Sequence, residues 1–466
     1  MVVEQVALDG GFDAPSVRRL EERLVGKLIR PGDTDYEATR MVWNAAVDRR
    51  PALIVRCGDP VDVIQAVRFA REHNLPLAIR SGGHSMAGHG VVDGGVVIDL
   101  SRMNRMTVDP ERRIAWTQPG LTWGEYTSRA HAYGLATPAG DSASVGVGGL
   151  TLGGGIGWLV RKHGLSIDNL VSVEMVTADG RLVTASETEH PDLFWALRGG
   201  GGNFGVATGF EFRLHPVSTI LGGAIFYPAE SEVLQAYARA AAEAPDEVSA
   251  IAAVMQAPAG PFIPAEKHGS LVFAILVCYA GDLDAGQRAV APLRALGTPI
   301  AEALGPMPYP ALFDLTKEGS ISRPHSVRSG FLDALDAETA TTIMEHARRM
   351  TSPLGMVQLR VLGGAMARVP AAATAFAHRD KPIMLTVING WTDPAETERH
   401  VAWTDAAWRA LRPRTTGVYV NFLQDEGAAR ILEAYRPAAY QRLAEVKRRY
   451  DPGNLFQGNQ NIRPAP

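Results

Sequence analysis

The chain has 466 residues, 46% apolar and 21% charged, with 46 Lys and Arg against 50 Asp and Glu for a formal net charge of −4. That balance excludes a disordered chain and gives no basic footprint for nucleic acid or anionic lipid. The length exceeds what one hydrophobic core serves, so two domains and a small-molecule partner are expected.

The N-terminal MVVEQVALDGG has no basic segment ahead of an apolar one. The longest apolar run, near Leu271 to Ala280, is too short to span a bilayer, so a soluble cytoplasmic protein without membrane contact is expected. From Pro51 the chain reads ALIVRC, DPVDVIQAVRFAREHN, LPLAIR: strand, helix, strand. Asp59 suits the helix cap, Pro60 its first turn, and Val63, Ile64, Val67 and Ala70 one apolar face. The second strand runs into SGGHSMAGHG. A short strand follows at Val96 to Leu100, and Thr122 with Glu125 has capping-box spacing before a helix that Gly134 ends.

The glycine-dense stretch GDSASVGVGGLTLGGGIGW comes next, then a hairpin signal at Asp179-Gly180 between VSVEMVTA and RLVTAS. A helix near Pro191 to Leu197 leads into RGGGGNFGVATGFEF. Around Pro216 the texture changes. Glycine clusters cease, and LVFAILVCYAG, MVQLRVLGG and IMLTVINGW read as strands of one antiparallel sheet, with Ala-rich helices such as Leu234 to Ala244 on its other face. A closing helix ends at Asp451-Pro452-Gly453 and a polar tail follows. The chain therefore divides at 1–215, 216–413 and 414–466, the last part returning to the first. Cys57 and Cys278 lie in apolar runs without CxxC spacing, so both read as buried thiols and no metal site is expected.

Several glycine chemistries fail on spacing. GxGxxG counted from Gly146 or Gly155 ends on Thr151 or Val160. The one Gly-Lys pair, Gly26-Lys27, lacks the rest of a P-loop, and Ala87 breaks the hydrolase elbow around Ser85. What remains is three glycine-rich loops, each expected at the end of a strand, whose backbone N–H groups can approach a large anion without Lys or Arg. A bound dinucleotide is the reading.

The order RSGGHS at Arg80 to Ser85, VGVGG, LGGGIGW, LFWALRGGGGNFGV and YDPGNLFQGNQNI resembles the berberine-bridge-enzyme-like oxidases of the vanillyl-alcohol oxidase superfamily. The likeness covers nearly all of the first 215 residues and about the last 50. It implies an α+β fold: a two-subdomain PCMH-type FAD-binding domain plus a substrate domain with a large antiparallel sheet backed by helices. It also implies FAD wrapped by Arg80, Ser81, Gly82, Gly83 and Ser85 and bonded through His84, with His89 nearby. An imidazole attached there raises the flavin potential, and the redox chemistry is the flavin's.

Many relatives add a Cys link at the position of Ser142, so a single linkage is implied, with a bulky oligosaccharide substrate disfavoured. Gly146, Gly148 and Gly149 are implied at the flavin edge, with Gly153, Gly154, Gly155 and Gly157 alongside. Val145 implies room for oxygen, hence an oxidase making hydrogen peroxide. Asn203, Gly205 and Val206 are implied at the adenine and ribose, and Asn459, Gln460 and Asn461 over the flavin.

Oxidising an alcohol or amine carbon needs a proton acceptor while hydride leaves. The strand Met356 to Val361 alternates, with Gln358 and Arg360 on one face. Those two are candidate substrate contacts. Tyr419, beside Asn421, is the candidate base. Three alternatives stay open: a dehydrogenase using another acceptor, an oxygenase working through an oxygenated flavin, and a passive flavin binder.

Overall fold

The computed structural model describes residues 13–260 and 262–466. The N-terminal reading of residues 1–11 lies outside them. Four strands, β1 (Lys27–Ile29), β2 (Leu53–Arg56), β3 (Leu77–Arg80) and β4 (Val96–Asp99), form the first sheet in the order β1-β2-β4-β3. Strands β2 and β3 both run parallel to β4, so the chain between them needs a crossover, which the helix Pro60–Glu72 supplies. Its cap is the expected one: Asp59 accepts from the Val61 and Asp62 N–H groups. The helix buries Val63, Val67 and Ala70 in the core of this sheet, while Arg71 reaches the Ala178 carbonyl beyond it at 3.0 Å.

That carbonyl belongs to a second sheet. Strands β5 (Met106–Asp109) and β6 (Ile114–Thr117) begin it, and a two-residue β7 (Leu135–Ala136) lies outside it. Strands β8 (Leu170–Val176), β9 (Leu182–Ser186) and β10 (Val206–Arg213) complete it in the antiparallel order β5-β6-β10-β8-β9. The Asp179-Gly180 turn joins β8 to β9 with Gly180 at φ +78, and the Thr122/Glu125 capping box forms on the helix Trp123–His131.

After β11 (His215–Pro216) one sheet takes over. It holds β12 (Thr219–Pro228), β13 (Val248–Gln256), β14 (Leu271–Tyr279), β15 (Ala301–Pro308), β16 (His325–Leu332), β17 (Met356–Val361) and β18 (Ile383–Gly390). Their order is β15-β12-β14-β13-β17-β18-β16, antiparallel at every pairing. Val357, Leu359 and Val361 face a core shared with Leu234 of the helix Ser231–Glu243, Ile343 of Ala337–Ala347 and Trp403 of Thr397–Leu411. The opposite face puts Ile251, Phe331 and Met384 into a core cluster shared with the second sheet. The α+β architecture with one helix-backed antiparallel sheet is the expected one.

The halves are pinned by buried cations. Arg161 donates to the carbonyls of Leu362 at 2.5 Å and Ala244 at 2.7 Å, Lys162 to that of Ala280 at 2.5 Å, and Arg379 grips Asp168 with two nitrogens at 2.6 and 3.0 Å. The helix Pro437–Tyr450 then returns to the first region, where Lys447 is fully buried with Asp451, the Asn203 carbonyl and the Phe456 carbonyl as acceptors. No helix among the described residues is long and apolar enough to cross a membrane.

Candidate functional site

The first glycine loop leaves the end of β3. A Cβ on Gly82 would collide with the backbone nitrogen of Gly146, so two glycine runs meet with nothing between them. Ser81 locks that meeting: its hydroxyl donates to the Pro119 carbonyl at 2.5 Å and accepts the Gly148 N–H at 3.3 Å. Ser85 accepts the His89 N–H at 3.2 Å. Arg80 corrects the sequence reading. Its guanidinium is spent inside, on Asp99 at 3.0 Å and the Thr39 carbonyl, and its stem lies under Gly83 and Gly90. It props the loop from below. Burial would raise the Asp99 carboxyl, and Arg80 beside it holds the group below its ordinary value instead.

His84 stands half-buried on this loop, and among the described residues neither ring nitrogen has a hydrogen-bond partner. Its orientation comes from stacking. Trp43 lies against it at 5.4 Å and 23°, and His325 at the start of β16 also stacks on Trp43, at 4.1 Å and 18°. Trp43 is itself fixed, donating its backbone N–H to Gly83 at 3.0 Å and its indole N–H to the Gly319 carbonyl at 2.8 Å. Burial, with His325 nearby, pushes His84 down to about 4, so the ring is neutral at neutral pH. His89 is also pushed down to about 4 by burial and Arg49, and its Nε2 is buried without a partner.

The second run divides. Gly148, Gly149 and Gly153 belong to a short helix, Val147–Gly153, where a loop was expected. Gly149 is exposed, and a Cβ on it would meet nothing within 4 Å. Gly153 to Gly157 behave oppositely. Side chains there would strike Asn421 (from Gly153), Tyr419 and Phe376 (from Gly154), Ser166 (from Gly155) and the Ala139 carbonyl (from Gly157). Gly153 and Gly154 thus pack against Asn421 and Tyr419 of the C-terminal segment, and Gly155 and Gly157 against Ser166 and the Ala139 carbonyl, so protein fills the space a side chain would take at each. Val145 is half-buried, and Ser142 lies 3.1 Å from the Ser320 hydroxyl. Both thiols are elsewhere and fully buried.

The third run lies between the helix Pro191–Leu197 and β10, at the start of a strand and not at its end. Gly200 to Gly205 spells GxGxxG by letter, but it runs from helix into strand, the reverse of the dinucleotide order. Gly202 faces open space, whereas Gly205 is packed against Met175 and Val206 is buried in the core. Asn203 is likewise committed inward: it donates to the carbonyls of Gly200 and Gln460 and accepts the Ile462 N–H at 2.9 Å. It staples loop to tail and has no donor left for a ribose. Gln460 spends its amide on the Leu423 and Gln424 carbonyls. Asn459 and Asn461, in contrast, each keep a buried Oδ1 without a partner.

On the facing sheet, Gln358 and Arg360 share the side turned to the glycine loops, as alternation predicts. Arg360 is 6% exposed, ion-paired with Asp141 of the second run and set 4.9 Å over the Phe422 ring. Its Nε and Nη1 and the Gln358 Oε1 are buried without partners. Tyr419 and Asn421 do come together, through a 3-10 turn at Val420–Phe422. The Tyr419 oxygen accepts from Gly155 N–H at 2.7 Å and Asn421 Nδ2 at 2.8 Å. Burial pushes the phenol up to about 12, against the pull of those two donors and Arg360. Sequence reasoning missed Trp43, Asp141, His325 and Thr386. Only Asp141 carried a signal, as the one acid inside the glycine-dense run.

Several groups are thus left without a protein partner: the backbone at Gly149 and Gly202, the ring nitrogens of the neutral His84, the orphaned oxygens of Asn459 and Asn461, and polar atoms of the sheet face. Backbone-lined gaps beside unpaired acceptors fit a flavin dinucleotide, which brings both an anionic pyrophosphate and N–H donors. Comparison with known proteins agrees. Residues 51–186 match the FAD binding domain model and residues 418–463 the berberine and berberine-like model. An uncharacterised FAD-linked oxidoreductase of Bacillus subtilis is 33% identical over 452 residues, covering 95% of this chain and 98% of that one. The (R)-6-hydroxynicotine oxidase of Paenarthrobacter nicotinovorans is 32% identical, covering 94% and 97%. The crystal structure of 6-hydroxy-D-nicotine oxidase from Arthrobacter nicotinovorans superposes with a TM-score of 0.86 at 31% identity, covering 95% and 98%. Fold and site define an FAD-linked oxidoreductase. Within that class, the chain belongs to the berberine-bridge-enzyme-like family.

Proposed function

We propose that the protein is an oxidase holding FAD through one covalent bond, from an imidazole nitrogen of His84 to a methyl carbon of the isoalloxazine ring. The observation that carries this is the state of His84: neutral, unbonded at both nitrogens, and held face-on by Trp43 beside the glycine gap. A nucleophilic nitrogen needs a free lone pair, and a pKa near 4 keeps it free; forming the N–C bond would break one methyl C–H, with a proton lost to solvent and the electron pair removed by O2. Ser142 in place of a thiol, with Cys57 and Cys278 buried elsewhere, supports a single link.

The chemistry a bound FAD would supply here is a hydride acceptor for the substrate carbon and a two-electron donor for oxygen. The chain's own residues orient the substrate on the sheet face and take its O–H or N–H proton. Tyr419 is the proposed acceptor in its phenolate form: burial keeps the phenol protonated at neutral pH, so its own proton must pass to solvent before it takes the substrate's, and the Gly155 and Asn421 donors and the Arg360 field are what favour that form. In balance, an alcohol or amine carbon loses a hydride, its heteroatom loses a proton, and O2 leaves as H2O2. Val145 and the oxidase name of a relative support oxygen as acceptor.

The test is the mass and visible spectrum of acid-denatured protein. One FAD retained per chain, lost in His84→Ala, is expected. Tyr419→Phe should keep that flavin while its reduction slows by about 10²-fold or more. Flavin that washes from the unmodified protein in acid sinks the covalent link, and reduced enzyme that stays reduced in air sinks the oxidase.

A further inference from the structure

The sheet face turned to the glycine loops is organised in rows running across strands. Register places Gln358 of β17, Thr386 of β18 and Ser329 of β16 side by side. The row beyond on one side carries Ile251, Met384 and Phe331, and the row on the other carries Met255, Met356 and Ile388. A polar stripe therefore lies between two otherwise apolar rows, with Arg360 standing in the first of these, between Ile251 and Met384.

Ser329 is satisfied, donating to the Phe422 carbonyl at 3.1 Å. The others are not. Thr386 Oγ1, Gln358 Oε1 and two nitrogens of Arg360 are buried without partners, on residues of which Thr386 is fully buried and Arg360 6% exposed. An unmet buried polar group costs about 1–3 kcal/mol, so several on one face point to a ligand that completes them.

Charge then selects the ligand. This face of β13, β16, β17 and β18 carries no Asp or Glu, and its one cation, Arg360, is already neutralised by Asp141. A carboxylate or a cation arriving here would bring a buried charge without a counter-charge, which is strongly unfavourable. A neutral group with both a donor and an acceptor meets Gln358 Oε1 with the first and Arg360 or Thr386 with the second. Exposure increases from Arg360 toward Met255, Met356 and Ile388, so the polar edge enters first and a flat apolar body fills the outer rows.

We propose that this face is a recognition site for neutral, flat, largely apolar molecules bearing one amide-like or hydroxyaryl edge, selected over carboxylates and cations. The inference rests on the reading of the chain as an FAD-linked oxidase of small molecules. Three near-isosteric probes test it: 4-(hydroxymethyl)benzamide, 4-(hydroxymethyl)benzoate and 4-(hydroxymethyl)benzamidinium. They share one body and differ at the edge in charge and in the donor and acceptor atoms that go with it: both in the amide, acceptors only in the carboxylate, donors only in the amidinium.

Each is titrated anaerobically into the holoenzyme and followed by the shift in flavin absorbance. The benzamide should bind about tenfold or more tightly than either charged probe. Thr386→Val and Gln358→Met should each cut that preference to about threefold or less, with FAD content unchanged and the melting temperature of the ligand-free protein no lower than the parent's. Charged probes binding as well as the amide, a preference that survives both variants, or no shift with any probe overturns the proposal. Peroxide is then measured on admitting air. Amide-selective binding without peroxide would sink the oxidase reading and leave the recognition site standing.

Discussion

Two glycine-rich runs that look alike by letter do opposite work in this molecule. In Gly82, Gly146 and Gly149 the missing side chains leave backbone touching backbone or facing open space. In Gly153 to Gly157, only a few residues on, they make room for Asn421, Tyr419 and Ser166 from elsewhere in the chain. Gly82 and Gly146 bring two loops into backbone contact and Gly149 leaves space open, which the proposed function gives to the cofactor, whereas the second set closes a core. Composition cannot separate them, because both satisfy the same steric demand; what differs is whether protein or cofactor takes the space.

The comparison breaks most violently at Gly155. Its φ of +87 disfavours any side chain, and a Cβ would collide with Ser166, so Gly155→Ala combines backbone strain with overpacking. It also disturbs the N–H that bonds Tyr419. A loss of about 3 kcal/mol or more is expected in denaturant unfolding of the apoprotein. A variant as stable as the parent would mean that this run is not packed as described.

Much of the architecture was legible because it depends on local signals. Asp59, the Thr122/Glu125 box and Asp179-Gly180 each fix a backbone turn through their own side chains or φ preference, and the alternation of Met356 to Val361 sorts the faces of β17. The candidate site gave a signal only where the proposed chemistry requires one residue type, as at His84. Arg80 and Asn203 were misread because their partners, Asp99 and Ile462, are distant in sequence, and a polar side chain beside a glycine loop looks the same whether it faces in or out. Trp43 and Thr386 gave no signal at all. Their roles exist only through register and stacking against segments some 280 and 30 residues away.

Acid sharpens the contrast at intermediate size. Burial holds His84 and His89 down to about 4, and His163, stacked on His215 at 3.9 Å, down to about 3. The unfolded chain, with ordinary imidazoles near 6.5, therefore binds more protons between pH 6.5 and 4. Stability of the apoprotein should be complete above pH 6.5 and drain away as pH falls through that window, read as a falling denaturation midpoint. His84→Ala and His163→Gln should each flatten the profile, and an unchanged slope in both would show that these rings are not buried neutral.

The smallest effect is the most discriminating, because its sign changes between apo and bound protein. Gly149 sits in a helix, exposed, with nothing within 4 Å of where a Cβ would go. Without cofactor, Gly149→Ala should raise stability by about 0.5–1 kcal/mol, the ordinary gain of alanine over glycine in a helix. If the open space belongs to FAD, the same methyl group stands where the dinucleotide approaches the backbone. FAD affinity, titrated in a His84→Ala background so that binding is reversible, should then fall about tenfold, or roughly 1.4 kcal/mol. A gain in apo stability with unchanged affinity would place the cofactor away from Gly149, whereas a loss of apo stability would make it another packing glycine and erase the distinction between the two runs.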